Sequence, residues 1–255
     1  MRENSLYIVA RESGAEGVPL PTWASKRENP LELAESYDEK IERIEVPDVP
    51  GAFQLLNVLS QPECESLITA TEVEGYTEDA SVSLPRSVRH NENFVWVVDD
   101  TTQRIIWERC RELMTDPAGI FGGKKALGLN QRFRFYKYGP GDFFRPHTDG
   151  AWPGSRVVEG KLLPNAFRDR YSQMTFLILL SEDFDGGSTQ FWVDQDDPAK
   201  PASRPDTARL VDVRTPAGGV LCFPHGFHPL HCLHASMPVT KGVKYIIRTD
   251  ILFER

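Results

Sequence analysis

The stretch Arg132–Gly150, RFRFYKYGPGDFFRPHTDG, decides how this chain is read. It opens with alternating aromatic and basic residues, passes a Gly139-Pro140-Gly141 turn and closes on His147-x-Asp149. Alternation with period two is the mark of a β-strand, and in a strand His147 and Asp149 project from the same face. An imidazole beside a carboxylate offers a divalent metal two adjacent ligands. A third ligand has to come from elsewhere in the chain.

Downstream, strand follows strand. A long polar connection, Ala151–Asp169, leads to Met174–Leu180 (MTFLILL), which is apolar on both faces as a central strand would be. Asp185-Gly186-Gly187 turns the chain into Thr189–Val193. A Pro- and Asp-rich loop, Asp194–Asp206, precedes Leu210–Val213, and Pro216-Ala217-Gly218-Gly219 precedes Val220–Phe223. The last strand is Val243–Phe253, VKYIIRTDILF. Many short strands joined by Gly/Pro turns predict a mainly β sandwich or jelly roll. The two long polar connections have the length of lids.

Upstream the signals change. Phe53–Leu59 reads as a short strand, and Ser60-Gln61-Pro62-Glu63 as a capping box with proline in the first helical turn. The helix that follows carries Cys64, Leu67 and Ile68 on one stripe. Within Val82–Asp100, Phe94–Val98 reads as a strand. A second helix, capped near Asp100 or Thr101, carries Ile106, Cys110 and Leu113 and ends before Pro117. Packing against a sheet is the expected role of both helices. Residues 1–48 are polar and weakly periodic, and read as an N-terminal arm, partly irregular; 49–255 read as a single domain, with a helical layer over 60–116 and the jelly-roll core over 129–255.

Of six histidines, four (His225, His228, His231 and His234) crowd into FPHGFHPLHCLHASMP, and any one of them could close the site. Two histidines and one carboxylate leave three coordination positions open, which suits non-haem Fe(II) and oxygen chemistry. Zinc more often takes a closed set of N and S ligands. An oxygenase of that kind needs electrons, commonly from a co-substrate with a carboxylate tail. The last strand supplies cations for it, Lys244 and Arg248, on one face with Ile246 between them.

These residues resemble the prolyl 4-hydroxylase-type Fe(II)/2-oxoglutarate dioxygenases. The metal strand Y-x-x-G-x-x-F-x-x-H-x-D (Tyr138, Gly141, Phe144, His147, Asp149), the Thr175-x-Leu177 strand, the turn GGSTQF and the ending LHASMPVTKGVKYIIRTDILF carry the resemblance. It implies a double-stranded β-helix and an enzyme using Fe(II), 2-oxoglutarate and O2, and it allows for ascorbate. It makes His147, Asp149 and His234 the catalytic iron ligands and Lys244 the partner of the far carboxylate of 2-oxoglutarate. Tyr138 and Thr175 match positions that hold the co-substrate, and Arg248 stands as a second anchor, a substrate partner or a structural ion pair. Three features depart from the family: Ser188 in place of a glutamate after the double glycine, aliphatics in place of a tyrosine after Thr175, and the three additional histidines before His234. Arg89 and Asn91 could reach over the pocket mouth.

The implied substrate is a prolyl residue of a peptide or protein, or a free amino acid or other small metabolite. A cupin-like metal-binding protein without turnover, and a zinc hydrolase on the same barrel, are the alternatives. Composition fits a soluble enzyme: of 255 residues 40% are hydrophobic and 26% charged, and a net charge of −8 argues against nucleic acid as a partner. Fourteen Phe, seven Tyr and five Trp suit a β-rich core. Four scattered cysteines without a C-x-x-C pair, and no apolar run of signal-peptide or membrane-span length, set the expectation of a reducing, cytoplasmic location away from membranes. Nothing in the sequence speaks to oligomeric state.

Overall fold

The computed structural model describes residues 5–14, 17–80, 84–116 and 118–255. Val82 and Pro117, read above as part of a strand entry and as a helix stop, lie outside them. In chain order the elements are strands β1 (Leu6–Ser13), β2 (Pro19–Ser25), β3 (Glu42–Glu45) and β4 (Phe53–Leu56), then helix α1 (Gln61–Glu74). Next come β5 (Arg89–His90), β6 (Glu92–Val97), helix α2 (Asp100–Cys110), β7 (Ala126–Leu129), β8 (Arg132–Tyr138) and β9 (Phe143–His147). After β10 (Arg156–Val158) and β11 (Lys161–Leu163) follow β12 (Arg170–Leu179), β13 (Phe184–Gly186), β14 (Thr189–Asp194) and β15 (Ala208–Val213). The chain ends with β16 (Val220–Pro224), β17 (His234–Ser236), β18 (Val239–Gly242) and β19 (Lys244–Glu254).

Ten of these strands form one large sheet, in the order β1-β2-β6-β8-β19-β12-β16-β4-β3 with β7 on β19. Facing it is a five-stranded sheet, β15-β14-β17-β9-β5. The inner faces meet in one apolar cluster that joins Tyr138, Leu177 and Ile246 of the large sheet to Phe144 and Phe191 of the small one. The outer face of the large sheet forms a second cluster, in which Phe133, Phe135, Phe176, Ile178 and Ile247 pack with Leu67 of α1 and Ile106 of α2. This is a jelly roll with two helices outside it. Period two sorts β8 cleanly: its phenylalanines go outward to the helices, its tyrosines and Arg134 inward.

The capping box of α1 forms as read: Ser60 Oγ accepts from the Glu63 N–H and Glu63 Oε2 from the Ser60 N–H. Glu63 also receives both guanidinium nitrogens of Arg109, at 2.9 and 2.7 Å, and so pins α2 to α1. The cap of α2 is Asp99, one residue earlier than expected, because its carboxylate accepts from the Thr102 N–H. That helix tightens to 3₁₀ geometry at Arg111–Leu113, where Leu113 is half-buried against the cluster that holds Ile106 and Cys110.

The N-terminal arm holds more regular structure than its sequence implies. β1 and β2 form a hairpin that extends the large sheet through a parallel pairing of β2 with β6, and β3 pairs with β4. β2 buries alternate residues, Leu20, Thr22 and Ala24, of which one is a large hydrophobe, so the period is present but faint.

Candidate metal centre

His147 sits at the end of β9 and pairs in register with His234, the first residue of β17. Asp149 does not share a strand with His147 as the period-two reading had it, because β9 stops at His147. Asp149 instead turns inward two residues later, held by its own polar contacts. Its backbone carbonyl accepts from the Gly226 N–H at 2.9 Å. Gly226 adopts φ +65°, and a Cβ there would lie 2.4 Å from that of Ala151, so the approach of these two loops requires glycine.

One ligand atom from each of His147, Asp149 and His234 lies within 4.8 Å of the others, the only such cluster of three among the described residues. His147 Nε2 is 3.9 Å from Asp149 Oδ1, and His234 Nε2 is 3.7 Å from Asp149 Oδ2. Each histidine engages a backbone carbonyl through Nδ1, that of Arg145 for His147 at 2.8 Å and that of Cys232 for His234 at 3.1 Å. Nδ1 therefore carries the proton, and the Nε2 lone pair of both rings is left to face the carboxylate. That is the tautomer and orientation a metal-binding histidine needs. Phe144 stacks on the His147 ring at 3.5 Å and Phe223 meets the His234 ring edge-on at 4.7 Å, which limits their rotation.

The electrostatics agree with a cation here. Burial, and then the neighbouring His234, push the His147 imidazole down to about 3, and burial lowers His234 too, so both rings are neutral and able to ligate. For Asp149 burial works against ionisation, but the Arg248 guanidinium outweighs it and holds the carboxyl well below its usual range. Two neutral imidazoles and an ionised carboxylate converging on one point are a donor set that fits Fe(II) with open positions.

The cavity beside the triad is lined by Tyr138, Thr175, Lys244, Ile246 and Arg248 among others. Lys244 is 1% exposed and stands across the sheet from Tyr138, its Nζ 5.3 Å from that ring. The ammonium donates to the Gly187 carbonyl at 2.6 Å and to Ser236 Oγ at 3.0 Å. No carboxylate lies within 4 Å of it among the described residues. Burial, with the charge of Arg214 nearby, pushes its pKa down to about 7.

The other end of the cavity is crowded with charge. Arg248 Nε donates to Asp149 Oδ2 at 3.2 Å, and its Nη2 lies 2.9 Å from Asp250 Oδ1. Asp250 also accepts from Asn130 Nδ2 at 3.1 Å and faces Arg134 at 3.8 Å. Thr175 donates to Asp149 Oδ2 at 2.7 Å. Thr175 and Arg248, expected to hold the co-substrate, thus line the cavity but direct their polar atoms to Asp149. Arg248 thus makes the structural ion pair that was one of its expected roles, but its neighbours Arg134 and Asp250 escaped the sequence reading. Their signal was there in R-x-R and R-x-D on the inward phase of two central strands.

The additional histidines do not gather into a second cluster with Cys232. His225 is buried against Thr175 and Ser172, His228 engages the Ile120 carbonyl and packs at 4.7 Å on Phe121, and His231 engages the His228 carbonyl. Arg89 lies over the rings of Tyr136 and Phe144, and Asn91 is buried. All four cysteines are free and buried. No helix among the described residues is long and apolar enough to cross a membrane.

Two facing sheets with a His-x-Asp…His cluster and a buried lysine between them suit an iron oxygenase. Residues 133–249, which build all three corners of the cluster and its cavity, match the family model of the 2OG-Fe(II) oxygenase superfamily. The matched segment is just under half of the chain, and the cluster it contains fits a dioxygenase that uses Fe(II), 2-oxoglutarate and O2. No curated protein matches the sequence. Among solved structures, a prolyl-4-hydroxylase from Pseudomonas putida superposes with a TM-score of 0.51 at 16% identity, covering 81% of this chain and 94% of that one. A Trichoplax adhaerens prolyl hydroxylase, in complex with a hypoxia inducible factor oxygen degradation domain peptide fragment, gives 0.52 at 15% identity over 80% of this chain and 84% of that one. A viral collagen prolyl hydroxylase from Paramecium Bursaria Chlorella virus-1 gives 0.48 at 19% identity over 81% and 98%. The fold is the one the prolyl hydroxylases have.

Proposed function

We propose that the protein hydroxylates a prolyl residue in a peptide or protein, with Fe(II) held by His147, Asp149 and His234 and 2-oxoglutarate held at its far carboxylate by Lys244. The observation that carries this reading is Lys244 itself. A fully buried ammonium without an anion is costly, and this one points into the same cavity as the triad. A dicarboxylate fits both ends, one carboxylate toward the metal ligands and the other meeting the ammonium in a charge-assisted hydrogen bond. Tyr138 walls the lysine end. Bound Fe(II) with 2-oxoglutarate and O2 supplies the chemistry, in which the oxoacid becomes succinate and CO2 and a substrate C–H becomes C–OH.

The chain's own residues do the rest. The Nδ1 contacts of His147 and His234 hold both rings in the ligating tautomer. Phe144, Phe191 and Phe223 surround the rings and keep water from their flanks. Support for a peptide substrate comes from the structural relatives, one of which is a prolyl hydroxylase in complex with a peptide fragment. A free amino acid or other small acceptor is the competing substrate class.

The test begins anaerobically. Adding Fe(II) and then 2-oxoglutarate should raise a weak visible charge-transfer band, and its absence would sink the dioxygenase reading. With O2, succinate release should rise with proline-containing peptides. A rise with free amino acids alone would overturn the peptide assignment, and activity that survives without the oxoacid would favour a hydrolase.

A further inference from the structure

Asp149 is supported by a line of buried side chains whose hydrogen-bond directions can be read one after another. Thr175 Oγ donates to Asp149 Oδ2, since an ionised carboxylate only accepts. The Thr175 hydroxyl has one proton, so its 2.8 Å contact with His225 Nδ1 must be donated by the imidazole. His225 Nε2 lies 2.9 Å from Ser172 Oγ, and Ser172 Oγ accepts from the Trp152 backbone N–H at 2.7 Å. In a neutral ring protonated on Nδ1, Nε2 can only accept, so the Ser172 hydroxyl donates to it. Direction therefore runs from Trp152 N–H through Ser172, His225 and Thr175 to Asp149.

Two features show that this chain is built rather than incidental. Ser172, Thr175 and His225 are each at most 1% exposed. Ser172 and Thr175 are three residues apart on β12, which in a regular strand would send them to opposite faces. A register shift against β19 between Ser172 and Met174 inserts Gln173 as an extra residue and brings both hydroxyls to the inner face. Thr175 and Arg248 together occupy Asp149 Oδ2 with two donors. Oδ1 accepts no hydrogen bond among the described residues, faces His147 Nε2 at 3.9 Å and keeps its lone pairs for a metal, while His234 Nε2 lies nearest Oδ2, at 3.7 Å.

We propose that Ser172, His225 and Thr175 form a one-way hydrogen-bond chain that makes Asp149 a single-oxygen ligand, with His225 as a positioning residue in its neutral, Nδ1-protonated form. Its consequence rests on the reading of Asp149 as a metal ligand. A carboxylate binding through both oxygens would take one of the three positions that 2-oxoglutarate and O2 require. The chain also ties the connection Ala151–Asp169, through Trp152, to the geometry of the metal.

The experiment has two arms that fail independently. In ¹⁵N-labelled, metal-free wild type, long-range ¹H–¹⁵N correlation should show His225 protonated on Nδ1 and bare on Nε2, and Ser172→Ala should shift that tautomer balance. A wild-type ring protonated on Nε2, or on both nitrogens, overturns the chain, and so does a Ser172→Ala spectrum unchanged in tautomer. In the second arm Co(II) is titrated calorimetrically. Thr175→Val should weaken binding by about 10–100-fold, the range for loss of a metal ligand's supporting partner, and Thr175→Ser should restore most of it. Equal affinity in wild type and Thr175→Val overturns the positioning role. If wild type itself binds no Co(II), Asp149 is not a ligand and the metal reading falls, while the tautomer result still decides whether the chain exists.

Discussion

The two faces of the large sheet are made by the same strands and do opposite work. On β8, β12 and β19 the outward residues are Phe133, Phe135, Phe176, Ile178 and Ile247, in one apolar cluster with the helices. The inward residues of the same strands include Arg134, Tyr138, Thr175, Lys244, Arg248 and Asp250, all buried, beside the apolar Leu177 and Ile246. Outward burial of each large side chain stabilises by roughly 1.5–3 kcal/mol. Inward burial of charge costs stability unless each charge is paired. The outer face holds the barrel in shape so that the inner face can keep groups water would otherwise solvate. Within the inner face the pairing is unequal: the Arg248 end is neutralised by Asp149 and Asp250, whereas Lys244 has only neutral oxygens.

That contrast breaks most visibly on the outer face. Phe176→Ala should destabilise by about 3–5 kcal/mol through loss of apolar contact and the void left behind. For a chain of this size that lowers the melting temperature by roughly 10 °C, while 2-oxoglutarate affinity of the folded fraction stays as in wild type. Thermal unfolding followed by circular dichroism, with calorimetric titration below the transition, checks both halves. A large drop in affinity at an unchanged melting temperature would show that the two faces are not divided as described.

Lys244→Met makes the opposite change. It removes a buried charge that has no anion in the ligand-free protein, so stability should be unchanged or higher. Affinity for 2-oxoglutarate should fall by the cost of leaving a buried carboxylate without its partner, about 2–5 kcal/mol, or roughly 30-fold or more. Metal affinity should be unaffected. Unfolding at a lower temperature with co-substrate affinity intact would make Lys244 a structural cation.

Much of this division was legible in the sequence, because period two in RFRFYKY and VKYIIRTDILF carries both faces at once. The distal histidine was singled out among four only by the resemblance to the dioxygenases, and Lys244 stood out by its place inside an apolar strand. The partners of Asp149 were not. A threonine, a histidine and a serine come into line only because β12 carries an extra residue at Gln173 and because Gly226 lets two loops touch. Neither a bulge nor a loop contact leaves a periodic trace. The N-terminal hairpin was missed for another reason: β2, with Pro19, Pro21 and a single large buried hydrophobe, gives propensity and pattern little to show.

The smallest effect separates the two ends of the inner face by pH. The Lys244 ammonium is pushed down to about 7 by burial and by Arg214. Because an unfolded lysine keeps its proton to about 10.4, the unfolded chain binds more protons between these values, and ligand-free stability should rise with pH across that window. Binding a carboxylate works the other way, by favouring the charged lysine. Above pH 7 each molecule of 2-oxoglutarate must bring a proton with it, so affinity should fall up to tenfold, about 1.4 kcal/mol, per pH unit. Burial keeps His147 and His234 neutral at and above pH 7 and pushes the Tyr138 hydroxyl far up, so the interval from 7 to 9 belongs to the lysine. Calorimetry with Mn(II) in place of Fe(II), in buffers of different ionisation enthalpy, reads the proton uptake directly. The slope should vanish in Lys244→Met, and a slope that persists there would assign the proton to the Asp149 end instead.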